Sequence, residues 1–312
     1  MEKRIILLSK TSIADGIGGV PVHCYYLQKV FPKAIHLTCS TVGVEKNTIQ
    51  KMSVDLGQLA EQKGLIKPDD IIITDGFWGC GVSNQNRVIA VCHGTLAGDV
   101  GINHPISQFQ KQQMQGRHYV AVSRNAAVES IKYYGVECKA VIMNGVDLDI
   151  FHPKKRVKDF TVGFLEPKGK IQQARYSKLI NAIKATFKTH TIKGIWPYGI
   201  AEEYRKCSVY VHLSRYEGCS YAVNEALASG LPVIGTPVGL FGDYQDFLNT
   251  YKISVGEILS TKTPTYEEIK NKLLKIQSNY QNYYPTEWCQ AFCNLSLFDK
   301  EWKKYINLLD QT

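Results

Sequence analysis

The apolar residues of this chain are grouped in short runs, separated by longer stretches that mix apolar and polar positions. The short runs predict buried strands and the mixed stretches predict helices. The predicted strands are residues 3–8, 34–39, 70–74, 87–92, 119–123, 140–143, 160–165, 191–195, 210–213 and 233–236. The predicted helices are residues 22–30, 54–62, 125–134, 176–187, 201–206, 221–229, 266–277 and two or more segments of 285–309. Strands that alternate with helices predict an α/β fold with parallel sheets.

The length and composition bound the class of protein. A chain of 312 residues is long enough for two domains of about 150 residues. The nine cysteines show no C-x-x-C spacing and no secretion signal precedes them, which favours free thiols in a reducing cytoplasm and no metal site. No apolar run approaches the length of a membrane span. The net charge of +9 favours an anionic partner such as a nucleotide, a nucleic acid or a lipid surface, although solubility alone would also explain it.

One stretch near the middle of the second half combines a strand, a turn and a helix. The helix predicted from Tyr221 ends before Gly230, and the turn that precedes it contains Glu217. The N-terminus of a helix binds phosphate through free backbone amides and a positive dipole. Glu217 and Glu225 are separated by about two helical turns, so that one carboxylate could reach each end of a nucleotide sugar. The alternative is that Glu217 is an ordinary first-turn carboxylate and that Glu225 is a solvated helix residue.

This stretch resembles the E-x7-E signature of retaining GT-B glycosyltransferases of the family 4 type. The matching positions are Ser214, Glu217, Gly218, Glu225, Ala226, Ala228, Gly230, Pro232, Val233 and Ile234. A second motif of that family, Asn-Gly-Val-Asp-x-x-x-Phe-x-Pro, is matched at residues 144–153. The chain is similar to a compact, phage-like or virus-like member of this family.

The resemblance implies a fold of two Rossmann-like domains that face each other across a cleft. Residues 1–153 would form the acceptor domain and residues 159–290 the nucleotide-sugar domain. The final helix, within 291–312, would cross back to the first domain. The basic segment 154–158 would then be the linker.

The resemblance also implies roles for individual residues. Glu217 would bind the donor sugar, His93 a distant hydroxyl of that sugar, and Glu225 the ribose. The Lys168 ammonium would stabilise the charge that develops on the departing diphosphate. The remaining residues expected to bind the donor are Gly18, Gly19, Arg215, Gly218, Cys219, Ser220 and Tyr221.

The sequence departs from the family pattern at Phe164, where members have an arginine that holds the β-phosphate. Lys168 is present, but one residue closer in sequence than expected. Either Arg215 or Lys170 would then have to assist Lys168, or the donor would have to bind in a different position. Residues 196–199, Trp-Pro-Tyr-Gly, could stack on the base of the nucleotide or belong to the core.

The resemblance implies a metal-independent GT-B site, so neither a metal nor another cofactor is expected. The donor would be a nucleotide sugar, with UDP favoured, and a hexose or a pentose would be transferred in the cytoplasm, or in that of a host. The acceptor could be a glycan or lipid-linked sugar, a hydroxymethylated base in duplex DNA, or a small molecule. For DNA, the candidate contacts are Tyr25, Phe77, Trp78, Lys111, Arg117, Arg124, Lys132 and 154–158. A non-catalytic GT-B-like nucleotide-binding protein is the alternative, followed by an epimerase or phosphorylase of the same architecture.

Overall fold

The computed structural model describes residues 4–15, 18–45, 55–75, 77–84, 87–154, 157–165, 170–242 and 253–309, with the side chains of 170–175 left out. The chain folds into two compact units. The first comprises Met1–Asn144 together with Ser296–Thr312, and the second comprises Gly145–Leu295. The C-terminal helix therefore belongs mainly to the first unit.

The first unit is built on a parallel sheet of six described strands. In chain order these are β1 Ile5–Leu8, β2 Ile35–Leu37, β3 Ile71–Asp75, β4 Val88–Cys92, β5 His118–Ala121 and β6 Ala140–Val141. They lie side by side in the order β2-β1-β3-β4-β5-β6, and each pairing is parallel. Every residue of β3 and β4 is buried, as expected for central strands with helices on both faces.

The described helices of the first unit follow the strands in sequence. They are α1 Gly19–Val30, α2 Cys39–Val42, α3 Leu56–Gln62, α4 Ala97–Val100, α5 Pro105–Met114 and α6 Arg124–Tyr134. Local capping explains their bounds. The Ser123 side chain accepts a hydrogen bond from the backbone N–H of Ala126 at the start of α6, and Gly135 ends it with a φ of 66°.

The second unit is built on a parallel sheet of five described strands. These are β7 Thr161–Leu165, β8 Lys188–Ile192, β9 Val209–His212, β10 Val233–Gly235 and β11 Gly256–Ile258, in the spatial order β11-β10-β9-β7-β8. The helices are α7 Lys170–Thr186, α8 Tyr198–Tyr204, α9 Tyr221–Ala228, α10 Tyr266–Ser278 and α11 Pro285–Phe292. The helix α12 Leu295–Leu309 then returns to the first unit and buries Phe298 and Trp302.

Two parallel-sheet α/β units confirm the fold class predicted from the sequence. Some elements differ in detail. The strand predicted at 191–195 is β8, three residues earlier, because its Lys-Thr-His-Thr-Ile sequence lacks a continuous apolar run. The helices α4 and α5 and the strand β11 were not predicted. No described helix is long and apolar enough to span a membrane.

Candidate functional site

In the second unit, the segment between β9 and α9 forms the predicted strand–turn–helix. Ser220 lies at the N-cap of α9, where its side chain makes no capping hydrogen bond. The first backbone N–H groups of any α-helix have no acceptor within the helix. The turn itself is held by Ser214, whose hydroxyl donates to the Tyr216 carbonyl at 2.8 Å and whose backbone N–H donates to Thr236 Oγ1 at 3.2 Å. The N-terminus of α9 therefore offers amide donors beside a fixed turn.

Gly239 fixes the position of this turn from the neighbouring strand. It has a φ of 55°, in the left-handed region that favours glycine. A Cβ at this position would lie 2.6 Å from the carbonyl oxygen of Gly218 and 2.9 Å from Cβ of Glu217. The turn after β10 thus packs directly on the backbone that carries Glu217, which only a residue without a side chain allows.

The Glu217 carboxylate is partly exposed and is hydrogen-bonded to a histidine of β9. Its Oε1 lies 3.1 Å from Nε2 of His212, and the hydroxyl of Tyr210 lies 3.3 Å from Nδ1 of His212. With Nε2 protonated, His212 donates to Glu217 and accepts from Tyr210. One oxygen of Glu217 is then held in place, and the Glu217 side chain is 28% exposed to solvent. His212 was missed by the sequence analysis, although its position at the end of a strand close to Glu217 would have indicated it.

Glu225 lies in a different environment from Glu217. It is 4% exposed, its Oε1 accepts a hydrogen bond from the indole Nε1 of Trp196 at 2.7 Å, and its Oε2 lies 3.5 Å from the hydroxyl of Tyr204. Burial raises the pKa of Glu225 to about 8, and the two hydrogen bonds oppose this only in part. The carboxyl group is therefore mainly protonated at neutral pH. Trp196, which the sequence left open as a base-stacking or a core residue, is buried.

The other residues predicted to bind the donor occupy varied positions. Arg215 is half-buried, and its Nε is buried without a hydrogen-bond partner among the described residues. Cys219 is buried and accepts from the Asn224 amide at 3.5 Å, while Tyr221 is buried at the start of α9. Phe164 is buried at the end of β7, with the Lys184 ammonium 5.3 Å from its ring centre. Lys168 lies outside the described residues.

In the first unit, the predicted glycine pair starts helix α1. Gly18 is the N-cap with a φ of −163°, an extended conformation that any residue can adopt, and Gly19 is the first helical residue. A Cβ on Gly18 would meet only Pro21 at 3.7 Å, and one on Gly19 would meet nothing within 4 Å. Neither backbone conformation nor packing against the described residues therefore requires glycine here.

His93 follows β4 and is held by a buried carboxylate that the sequence analysis missed. Asp75 is the last residue of β3, its side chain is fully buried, and its Oδ1 is hydrogen-bonded to Nε2 of His93. Its Oδ2 is bonded to Nδ1 of His23 at 2.9 Å and to the Cys24 thiol at 3.0 Å. An aspartate two residues after a run of three isoleucines, at the end of a predicted buried strand, was the available signal.

The charges of this cluster follow from its burial. Burial alone would raise the pKa of Asp75, but the neighbouring imidazoles of His23 and His93, with the hydrogen bonds they make to its carboxylate, outweigh it and hold that pKa well below its usual range. Burial lowers the pKa of His23 and favours its neutral form. The potential ligand atoms of His23, Asp75 and His93 lie within 4.8 Å of one another, so this group could hold a metal ion. The absence of a metal stays a prediction.

Two of the residues considered for DNA contacts serve the fold of the first unit. The Arg117 guanidinium donates to the backbone carbonyls of Cys80, Gln112, Gln113 and Gln115. Trp78 packs against the apolar core, with its ring centre 4.7 Å from that of Phe77 and 5.6 Å from that of Phe109. Neither Arg117 nor Trp78 is thus free of structural contacts.

The comparisons with known proteins concern the second unit and the fold. Residues 156–281, which include Glu217 and Glu225, match the family model described as Glycosyl transferases group 1. A comparison with curated proteins yields no match. Sucrose-phosphate synthase from Thermosynechococcus elongatus has a TM-score of 0.76 over 100% of both chains, at 13% identity.

Further solved structures are similar over almost the whole chain. Anabaena HepE in complex with UDP-glucose has a TM-score of 0.70, with 97% of this chain and 99% of that chain covered, at 13% identity. A glycosyltransferase from Rickettsia africae has a TM-score of 0.59, with 100% and 99% covered, at 13% identity. The chain has a GT-B fold.

Each sheet of this GT-B chain has a switch point, where neighbouring strands lead to connections on opposite sides. Ligands of open parallel sheets bind outside the carboxyl ends of the strands at such points. In the first sheet the switch point lies between β1 and β3, close in sequence to Gly18 and Asp75. In the second sheet it lies between β7 and β9, and the turn with Glu217 follows β9. Asp75 at the end of β3 and the turn with Glu217 after β9 thus lie at strand ends where the topology favours a ligand.

Proposed function

We propose that this protein is a retaining glycosyltransferase that moves a sugar from a nucleotide-sugar donor, with UDP favoured, to a hydroxyl of an acceptor. The observation that carries the proposal is the turn and helix with Glu217 and Glu225 at the switch point of the second sheet. It lies within the segment that matches the group 1 model. The UDP-glucose bound in the similar HepE structure supports the choice of donor.

In this proposal the second unit binds the donor. Glu217, with one oxygen held by His212, keeps its other oxygen for a hydroxyl of the donor sugar. The amides at Cys219, Ser220 and Tyr221 lie at the positive end of the α9 dipole, which favours the diphosphate. They would stabilise the charge that develops as the diphosphate leaves.

Arg215 is the described cation best suited to assist this step. Its Nε is buried and makes no hydrogen bond to any described residue, and it lies two residues before Glu217. A phosphate would supply the missing acceptor for this charged donor, and a guanidinium binds phosphate in a bidentate manner. Arg215 would thereby take over the role of the arginine that Phe164 replaces. The sequence motif alone supports Lys168 as a proposed partner of Arg215.

The role proposed for Glu225 requires a rearrangement. Its carboxyl group is closed off by Trp196 and Tyr204, so ribose hydroxyls would have to replace the indole N–H as hydrogen-bond partner of Oε1. We propose that Trp196 occupies the hydrogen-bonding position of a ribose hydroxyl until the nucleotide binds. A change in Trp196 fluorescence on addition of UDP, absent in Trp196→Phe, would support this arrangement.

For the acceptor, both a glycan or lipid-linked sugar and a hydroxymethylated base in duplex DNA remain proposals. The experiment is to incubate the protein with a mixture of nucleotide sugars and either DNA containing 5-hydroxymethylcytosine or a glycan and lipid extract, and to measure the products by mass spectrometry. A hexose or pentose increment on the nucleoside would identify DNA as acceptor. An increment on glycan or lipid would exclude DNA as the main substrate. Glu217→Gln serves as the inactive control for both arms.

The second candidate function is a non-catalytic nucleotide-binding protein. Two observations favour it, namely the buried Phe164 at the expected arginine position and the enclosed carboxyl group of Glu225. Binding of UDP without transfer or release of sugar from any donor would favour this function over the enzyme.

A further inference from the structure

Asp75 is the buried carboxylate that is hydrogen-bonded to His93, and the role we assign to it rests on the proposed glycosyl transfer. We propose that Asp75 is a positioning residue that keeps the proton of His93 on Nε2. His93 then presents a bare Nδ1 and accepts a hydrogen bond from a hydroxyl of the substrate. This assigns both a residue and a hydrogen-bond direction in the first unit.

The hydrogen-bond partners of Asp75 determine the tautomers of both histidines. An ionised carboxylate can only accept hydrogen bonds. Both of its oxygens are used, Oδ1 by His93 and Oδ2 by His23 and Cys24, so each of these three groups must donate. The proton is therefore on Nε2 of His93 and on Nδ1 of His23.

The surroundings of His23 keep it neutral and hold the ring of His93. Nε2 of His23 is buried without a hydrogen-bond partner among the described residues. Its ring is in edge contact with Phe298, at 5.4 Å between centres, and with Trp302, at 6.0 Å. A second proton on His23 would therefore be a buried charge without an acceptor. The His23 ring also packs edge-on against the His93 ring, at 4.9 Å, and limits its rotation.

His93 is the partly exposed member of this cluster, and its Nδ1 is the nitrogen that a substrate could reach. His23 and Asp75 have fully buried side chains, whereas the side chain of His93 is 19% exposed. Nδ1 of His93 has no hydrogen-bond partner among the described residues. It lies beyond the end of β4 on the ligand-binding edge of the first sheet. A bare imidazole nitrogen accepts hydrogen bonds, and a sugar or acceptor hydroxyl is the donor that the proposed reaction supplies.

The test is to invert the tautomer with Asp75→Asn. An asparagine side chain can turn its N–H₂ group towards Nε2 of His93, which shifts the ring proton to Nδ1 and makes it a donor. We expect the ¹⁵N signals of the His93 ring to show a protonated Nε2 in the wild type and a protonated Nδ1 in the variant. We also expect kcat/KM for transfer to fall about 10- to 100-fold, because the substrate hydroxyl then faces an N–H. Binding of UDP alone, measured by titration calorimetry, should not change.

Asp70→Asn is the matched control. Asp70 is a buried carboxylate just before the same strand β3, and it pairs with Arg4 at 2.6 Å instead of a histidine. This variant should lose stability but keep the wild-type tautomer of His93 and the wild-type kcat. If Asp75→Asn does not fold, His93→Gln provides a second route, because its amide can still donate to Asp75 while Nδ1 is lost. It should fold and show the same fall in kcat/KM.

The outcomes separate this inference from the proposed function. A proton on Nδ1 of His93 in the wild type, or full transfer activity in His93→Gln, would overturn the role of Asp75 while leaving the transferase intact. A metal site would be the alternative explanation of the cluster. It would be shown if one equivalent of Zn²⁺ shifted the ¹⁵N signals of both histidines and restored activity to protein inactivated by a chelator, and this result would overturn the role proposed for Asp75. If the wild-type protein transfers no sugar from any donor, the proposed function is wrong. The hydroxyl proposed to bind His93 then has no basis, even if the tautomer of His93 is as expected.

Discussion

The substitution Glu225→Gln tests the most unusual titratable group of the second unit. The Glu225 carboxyl group has a pKa of about 8 in the folded protein, and we take the ordinary pKa of 4.5 for the unfolded chain. At any pH between these two values the folded protein therefore binds more protons at this group than the unfolded chain does. The free energy of unfolding must then fall as the pH rises through this window. Glutamine cannot ionise, keeps an oxygen for the indole of Trp196 and has nearly the same shape.

The magnitude follows from the size of the window. For each pH unit between 4.5 and 8, the free energy of unfolding falls by about 1.4 kcal/mol because of this group. Relative to pH 4.5, Glu225 therefore lowers the free energy of unfolding by about 3 kcal/mol at pH 7 and by about 5 kcal/mol at pH 8. Because Glu225 is fully buried, solvent screening reduces this little. We therefore expect Glu225→Gln to match the wild type in stability near pH 4.5 and to exceed it by several kcal/mol at pH 8.

The assay is urea unfolding of the full chain, followed by circular dichroism from pH 5 to pH 8.5, with the difference between variant and wild type plotted against pH. Glu257→Gln is the matched control in the same unit. The Lys275 and Lys272 ammonium groups and the Tyr283 hydroxyl outweigh burial and lower the pKa of Glu257, so its loss should destabilise the protein at neutral pH. A difference for Glu225→Gln that does not change with pH would refute the reasoning and leave Glu225 ionised.

Three further substitutions test the local arguments. Gly239→Ala should destabilise the protein by about 2–4 kcal/mol, through its left-handed backbone and the clash with the Glu217 turn, and an unchanged urea midpoint would contradict the packing. His212→Phe should keep the fold but lower kcat about tenfold, because Glu217 loses the donor that orients it, and equal kcat values would show that this bond is dispensable. Gly19→Ala should leave the unfolding free energy within about 1 kcal/mol of the wild type, since its Cβ has open space. If transfer activity is also unchanged, no ligand approaches this backbone closely.

The sequence predicted the fold because its signals are local. Continuous apolar runs such as that of β4 can only be satisfied by burial on both faces, which requires parallel strands covered by helices. The cap at Ser123 and the glycine at 135 likewise set the bounds of α6 by interactions within a few residues. β8 was placed less well because polar residues alternate along it.

The environment of Glu225 was decided by contacts between distant parts of the chain, whereas the histidine beside Glu217 lies only five residues away. The sequence placed Glu217 in the turn and Glu225 on the helix, but it gave no sign that their surroundings differ. The structure gives Glu217 a histidine and partial exposure, while it encloses Glu225 with Trp196 and Tyr204, both from before β9.

The sequence by itself thus determined the order and type of most elements and the GT-B architecture. Only the tertiary structure decided the protonation of Glu225 and the pairing of Asp75 with His23 and His93, which are 52 and 18 residues away. The physical reason is that a pKa depends on desolvation and on nearby donors and charges, and these come from residues that no local pattern places side by side.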